Sequence, residues 1–195
     1  MSQNRKVAII TGSSQGLGAS IAKKLSKKNV NVVINYSSSK ELAEKIRDEC
    51  ISNGVEAIAV KADVSQNKDC IKLVKRAEDI FGKIDILVNN AGTTKFADHS
   101  KLEKLSDEDF INIYKVNVIG PYQMIRAVEP IMKKNGFGAV VNISSIAGKT
   151  GIGSSIAYAA SKGALNTMTL SLAKALGPEI RVNTAVSYTH LRAHE

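Results

Sequence analysis

Tryptophan is absent from the 195 residues, proline occurs three times, and aromatic residues make up 5% of the chain. With 44% hydrophobic residues alongside, this scarcity does not signal disorder, and the 14 glycines follow no collagen-like or low-complexity pattern. Cysteine is nearly missing too, and Cys50 and Cys70 fall in no C-x-x-C or metal-ligand spacing. A disulfide framework is excluded on that count, and a reduced, cytoplasmic setting is expected. Long apolar runs are also lacking. The first, Val7 to Ile10, is far shorter than a signal-peptide core, and no later run could span a bilayer, so no membrane partner is expected. Positive charge is in excess: 27 Lys and Arg face 18 Asp and Glu, for a formal +9. Apart from Lys23, Lys24, Lys27, Lys28 and the pair Lys133 and Lys134, the lysines are scattered, and aromatics do not interleave with them. Solvated helix faces account for this better than a nucleic-acid groove. An anionic small molecule or an acidic protein would still be attracted by this field.

Strand and helix signals alternate from the start. The apolar run Val7–Ile10 predicts a buried strand, and Gly16 to Lys28 a helix with Leu17, Ile21 and Leu25 on one face. Strands are expected at Val30–Asn35, Glu56–Val60, Ile84–Val88, Ala139–Ile143 and from Ile180 onward. Helices are expected at Glu41–Ser52, at Lys68–Phe81, after the capping-box-like Ser106-Asp-Glu-Asp109, and at Ser155–Leu176. The strands are continuous apolar runs, as in a sheet covered on both faces. Repeated βα units of this kind make an α/β, doubly wound, Rossmann-like parallel sheet flanked by helices, with no second domain.

Between the first strand and helix lies Thr11-Gly12-Ser13-Ser14-Gln15-Gly16-Leu17-Gly18. Glycines there let the backbone approach a ligand, and the helix N-terminus offers free N–H groups to a pyrophosphate. A tight strand-to-helix turn needs glycines as well, but the position at the head of a βαβ unit raises the signal. No Gly-Lys-Ser/Thr follows, which argues against a P-loop nucleotidase. The spacing is Gly-x-x-x-Gly-x-Gly. With the preceding Thr it resembles the short-chain dehydrogenase/reductase family. Three further stretches match in order: Asn89-Asn90-Ala91-Gly92, Asn142-Ile-Ser-Ser145 and Tyr158-Ala-Ala-Ser-Lys162. The resemblance covers residues 6 to about 185.

Tyr158 and Lys162 stand four apart on one helical face. A tyrosine, with an ordinary pKa of about 10, is a poor acid–base group near neutrality, and an adjacent ammonium favours the phenolate. By resemblance, Tyr158 is the general acid in carbonyl reduction and the base in reverse, while Lys162 tunes it and holds the nicotinamide ribose. Ser144 and Ser145 compete for the carbonyl-binding role. The family's interval before the tyrosine selects Ser145, whose hydroxyl would donate to the developing oxyanion; Ser144 suits a backbone bond at the strand end. Asn117 shares an inward face with Phe110, Ile113 and Tyr114, and a buried amide needs partners. They could be backbone carbonyls, and the resemblance adds a water held between Asn117 and Lys162 that relays protons. No His, Cys and carboxylate spacing suggests a metal, and His99 looks like a solvated loop residue.

The resemblance also implies the cofactor contacts: Gly12, Ser14, Gln15, Gly16, Leu17 and Gly18 at the diphosphate, Asp63 and Val64 at the adenine, and Asn90, Ala91 and Gly92 along the ribose. NAD-preferring members carry an acidic residue after the second strand. Here Asn35-Tyr36-Ser37-Ser38-Ser39-Lys40 has none, and Tyr36, Ser37, Ser38 and the nearby lysine suit a 2′-phosphate. NADP is therefore expected, with NAD possible; a polar loop would explain the serines equally well. The expected activity is interconversion of a carbonyl and a secondary alcohol, of the 3-oxoacyl-carrier-protein reductase type. A sugar or alcohol dehydrogenase, or a non-catalytic dinucleotide-binding protein, stands as the alternative. A small-molecule or acyl-carrier-linked substrate is implied, and so is a homo-oligomer, a tetramer through the two long helices in the complete protein. The small residues Ala157, Ala159, Ala160, Ser161, Gly163 and Ala164 fit close helix packing, within one subunit or between subunits. From Val186 to Glu195 the sequence resembles a translated transposase adapter. Residues 1–185 are accordingly expected to form the dehydrogenase domain, without its last strands, and 186–195 a non-native tail. The adenosine half of the site is then expected to be kept, with the chain nearly inactive and poorly stable.

Overall fold

The computed structural model describes residues 5–187. The strands are β1 (Val7–Ile10), β2 (Asn31–Tyr36), β3 (Ala57–Lys61), β4 (Ile86–Asn89), β5 (Gly138–Ser145) and β6 (Ile180–Ser187). Between them run α1 (Gly16–Ser26), α2 (Lys40–Ile51), α3 (Asn67–Phe81), α4 (Asp107–Tyr114), α5 (Gly120–Lys134), α6 (Ala147–Thr150) and α7 (Ile156–Leu176). All six strands are parallel, in the order β3-β2-β1-β4-β5-β6. Ile9 lies beside Val33 and Leu87, and successive residues of β1 serve opposite faces. Ile9 packs into one core with Leu73, Met124 and Val128, whereas Ala8 and Ile10 join the other with Ala22, Val32 and Ile34. Two covered faces are the reason the strands lack polar alternation.

The chain winds outward from β1 through β3, and β4 then returns to the other side of β1. The helices that follow β1 and β4 therefore pack on opposite faces of the sheet, and the point where the winding reverses falls at the carboxyl ends of these strands.

Three local readings need correction. Leu17 does not join the core face of α1; it is 49% exposed, and the small residues Gly18, Ala19 and Ala22 make the buried contact instead. Close approach of this helix to the strand loop leaves no room for a leucine there. The helix after Ser106 has its capping box, with Ser106 Oγ accepting from the Asp109 N–H at 3.3 Å and Asp109 Oδ2 from the Ser106 N–H at 2.9 Å. It is not one α-helix, however. A π-turn at Lys115–Ile119 separates α4 from α5, with the Gly120 N–H reaching back to the Lys115 carbonyl. Pro121 has no N–H to give the Asn117 carbonyl, so regular α-helical bonding fails at this point. Finally, Val186 and Ser187, assigned above to the tail, continue β6 opposite Ser144 and Ser145. The remainder of that segment, Tyr188 to Glu195, lies outside the described residues.

Candidate active site

The turn after β1 is shaped by polar side chains bonded to backbone. Ser13 Oγ donates to the Ile10 carbonyl at 2.7 Å and accepts from the Asn35 N–H at 3.0 Å, while Asn35 Oδ1 accepts from the Gly12 N–H at 3.0 Å. Thr11 Oγ1 accepts from the N–H groups of Asn90 and Ala91, both at 3.0 Å. Asn90 Nδ2 donates to the carbonyls of Thr11 and Gly12, also at 3.0 Å. The β1 and β4 loops are thus one hydrogen-bonded unit. Gly12 has φ +59°, and a Cβ on it would lie 2.9 Å from Ala91 Cα; one on Gly18 would lie 2.6 Å from the Gly12 carbonyl oxygen. Both glycines are therefore dictated by backbone approach. The N-terminus of α1, at Gln15, carries no side-chain cap, so no capping side chain competes for the first-turn N–H groups. A diphosphate fits this cradle.

Of the remaining cofactor-side residues, Ser14, Gln15, Ser37 and Ser38 are partly or fully exposed around the turn. Tyr36 instead packs into the core beside α2, because it ends a strand buried on both faces. Lys40 turns to Glu44, 3.7 Å away, one helical turn on. Asp63 is exposed, and its Oδ1 accepts from the Ser65 N–H at 2.9 Å; Val64 is buried against Gly120.

The second cluster lies where β5 meets α7. Ser155 caps α7 by accepting from the Tyr158 N–H at 3.2 Å, which fixes the first turn and the tyrosine on it. Lys162, one turn later, is 5% exposed, and its Nζ donates to the Ile143 carbonyl at 2.8 Å, 5.6 Å from the Tyr158 ring centre. Burial pulls its pKa down from the ordinary lysine value to about 8. Ser145 Oγ accepts from the Ala147 N–H at 3.2 Å, and Ser144 Oγ donates to the Lys162 carbonyl at 3.4 Å. Asn117, 1% exposed, accepts from the Thr93 N–H at 2.8 Å and donates to the Thr93 carbonyl and to Ser161 Oγ. A Cβ on Gly92 would sit 3.4 Å from Asn117 Oδ1 and 3.8 Å from Lys162 Nζ, so the absent side chain keeps these groups open to one another. Asn90, Gly92, Ser145, Tyr158 and Lys162 all line one cavity of about 830 Å³.

Thr11, Ser13 and Asn35 were not singled out as site residues, although a polar residue ending an otherwise apolar strand is a usable signal. The same holds for a buried chain in which Asn89 donates to Asn142 and Asn142 to Thr169, each at 2.9 Å, tying β4, β5 and α7 together. Gly148 and Gly163 were missed as well; a Cβ on Gly148 would come within 2.6 Å of the Lys162 backbone, so α6 rests directly on α7. Much of the small-residue run of α7 is used inside the chain in this way, with Ala157, Ala159 and Ser161 buried. His99 is not merely solvated: its Nε2 lies 3.2 Å from the Gly153 carbonyl oxygen.

Residues 6–190 match the short chain dehydrogenase family. A protein named "Granaticin polyketide synthase putative ketoacyl reductase 2", from Streptomyces violaceoruber, is 41% identical over 177 residues, 91% of this chain and 70% of that one. The 3-oxoacyl-[acyl-carrier-protein] reductase of Staphylococcus epidermidis is 34% identical over 171 residues, covering 88% and 69%. Among solved structures, a metagenomic short-chain oxidoreductase in complex with NADP superposes with a TM-score of 0.88 at 32% identity, covering 97% of this chain and 85% of that one. NAD+-bound xylitol dehydrogenase gives 0.86 at 32% identity, covering 92% and 68%. With the parallel sheet, the glycine turn and the Tyr158–Lys162 corner in place, these likenesses identify the chain as an oxidoreductase of the short-chain dehydrogenase family.

Proposed function

We propose that this chain binds NADPH in preference to NADH and reduces a carbonyl to a secondary alcohol, as a 3-oxoacyl-carrier-protein reductase does. The observation that carries the reading is the convergence of Ser145, Tyr158 and Lys162 on the cavity that also receives Asn90 and Gly92. Gly12–Gly18 would hold a dinucleotide by its diphosphate, and that cofactor would supply the hydride. Ser145 Oγ donates a hydrogen bond to the substrate oxygen as negative charge gathers there. The Tyr158 hydroxyl passes its proton to that same oxygen, which completes the alcohol. Lys162, with its buried ammonium, would hold the ribose hydroxyls. Asn117, fixed by Thr93 and Ser161, stands beside Lys162 and suits a water that returns the proton to Tyr158.

The preference for NADPH rests on the lack of a carboxylate in the Ser37–Lys40 loop, where an acidic side chain would repel a 2′-phosphate. Assembly as a homo-oligomer belongs to the same proposal, supported by Leu170 on α7, Ile111 on α4 and Ile119 in the π-turn, apolar yet 67%, 50% and 46% exposed. Sedimentation equilibrium tests it, a monomer refuting it. For the activity, fluorescence titration should give NADPH binding at least about tenfold tighter than NADH, or about 1.4 kcal/mol. Single-turnover oxidation of bound NADPH by a 3-oxoacyl thioester then tests the chemistry even when turnover is slow. Equal affinities would reduce the serines to a loop, and no oxidation with any ketone would remove the reaction.

A further inference from the structure

The cavity has two unlike ends. Its floor carries Ser145, Tyr158 and Lys162, whereas its mouth is edged by Phe96 and Ile152, which are 84% and 65% exposed. A phenylalanine and an isoleucine left so bare on one cavity are unfavourable unless something covers them. These two side chains belong to separate loops, residues 93–101 and 151–155, that are laced together. The Ala97 N–H donates to the Ser154 carbonyl at 3.0 Å, Thr94 Oγ1 and Ser154 Oγ share a hydrogen bond of 2.6 Å, and His99 reaches the Gly153 carbonyl. Asp98, also at the mouth, has Oδ1 occupied by the N–H and hydroxyl of Ser100. The polar groups there are thus largely spent on one another. A polyhydroxylated substrate would find few free partners, while an apolar chain would find two apolar jaws carried on loops that are bonded to each other.

We infer that Phe96 and Ile152 determine substrate choice by gripping an unbranched apolar chain on the carbonyl substrate, and that this mouth disfavours sugars and polyols. The inference rests on the proposed carbonyl reduction for its orientation, because the chain lies outward only when the carbonyl sits at Ser145 and Tyr158. It separates the two kinds of relative found above, one named for ketoacyl groups and the other for xylitol. Each methylene drawn between the jaws adds apolar burial, less than in a closed core because the mouth is open. The expected gain is about two- to fourfold in affinity per methylene.

Calorimetric binding of methyl 3-oxo esters of four to ten carbons, and of xylulose, to the full chain saturated with NADP+ tests this without needing turnover. Affinity should climb by about two- to fourfold per methylene, with xylulose weaker than the six-carbon ester. In the double variant Phe96→Ser, Ile152→Ser the dependence on chain length should flatten, with the melting temperature unchanged because both side chains are exposed. Phe96→Leu should restore most of the slope. A flat series in the parent chain, a slope that survives the double variant, or tighter binding of xylulose would each overturn the inference. Graded binding without any consumption of NADPH would instead overturn the proposed reaction and leave the mouth standing.

Discussion

The two halves of the crevice are built from different materials. At the β1 and β4 loops, Thr11, Ser13, Asn35 and Asn90 bond to backbone and to one another, so the surface offered to a ligand is main chain already held in place. At the β5–α7 corner the working groups are side chains, and two of them are poorly provided for. Lys162 is a buried cation with one carbonyl partner, and the Tyr158 hydroxyl makes no hydrogen bond among the described residues. The first half is organised by interactions that stabilise the fold. The second holds groups that water would serve better, so the proposed chemistry there would come at some expense of stability.

The contrast can be broken at its chemical end first. Tyr158→Phe removes only the hydroxyl, and single-turnover oxidation of bound NADPH should slow by about a thousandfold or more, while NADPH affinity changes little. An unchanged rate would show that the corner is not the seat of the reaction. The burial of Lys162 should be visible next, in stability against pH. Its pKa of about 8 in the fold lies below the ordinary 10.5, so the unfolded chain binds more protons between those values. Stability should therefore rise from pH 8 to 10.5, the full penalty being present below pH 8. The rise is on the order of 3 kcal/mol. Denaturant titrations of the parent and of Lys162→Met, compared across that window, isolate this group; identical pH profiles would refute it. The smallest effect sharpens the backbone half. Gly12→Ala meets both a positive φ and the Ala91 backbone at 2.9 Å, whereas Gly16→Ala meets a positive φ of +58° and nothing within 4 Å. Melting curves should show Gly12→Ala costing at least about 2 kcal/mol and Gly16→Ala about 1 kcal/mol. Equal losses would mean that the loops do not approach as closely as described.

The same division governs what can be read from the sequence. The β1 turn and the Tyr158–Lys162 pair are local in the chain, and spacing alone puts each on its element. A parallel, doubly wound sheet also follows from repeated βα units, though the order β3-β2-β1-β4-β5-β6 does not, and element ends lie within a residue or two of those expected. Contacts between distant segments left weaker traces. Nothing near Asn35 announces that its amide oxygen will hold Gly12, and nothing near Gly148 announces its contact with α7, since those partners are 23 and about 15 residues away. Tyr36 leaves little trace of another kind. It closes a strand covered on both faces, so its ring packs in the core, and a strand-end position alone does not announce that.

The π-turn at Lys115–Ile119 makes the continuous helical rod from Asp107 to Lys134 intolerant of a change in length. Ile113, Asn117, Pro121, Met124, Val128 and Met132 keep one inward seam across it, with the wide turn absorbing the interruption at Pro121. Loss of a single residue from that turn would rotate everything beyond it by about 100° relative to everything before it. Either Asn117 would swing away from Thr93 or Met124 and Val128 would leave the core. Insertions and deletions can drift through the surface loops of this protein, but here the residue count itself is under constraint, because one rod serves both the anchoring of Thr93 and the packing of the sheet.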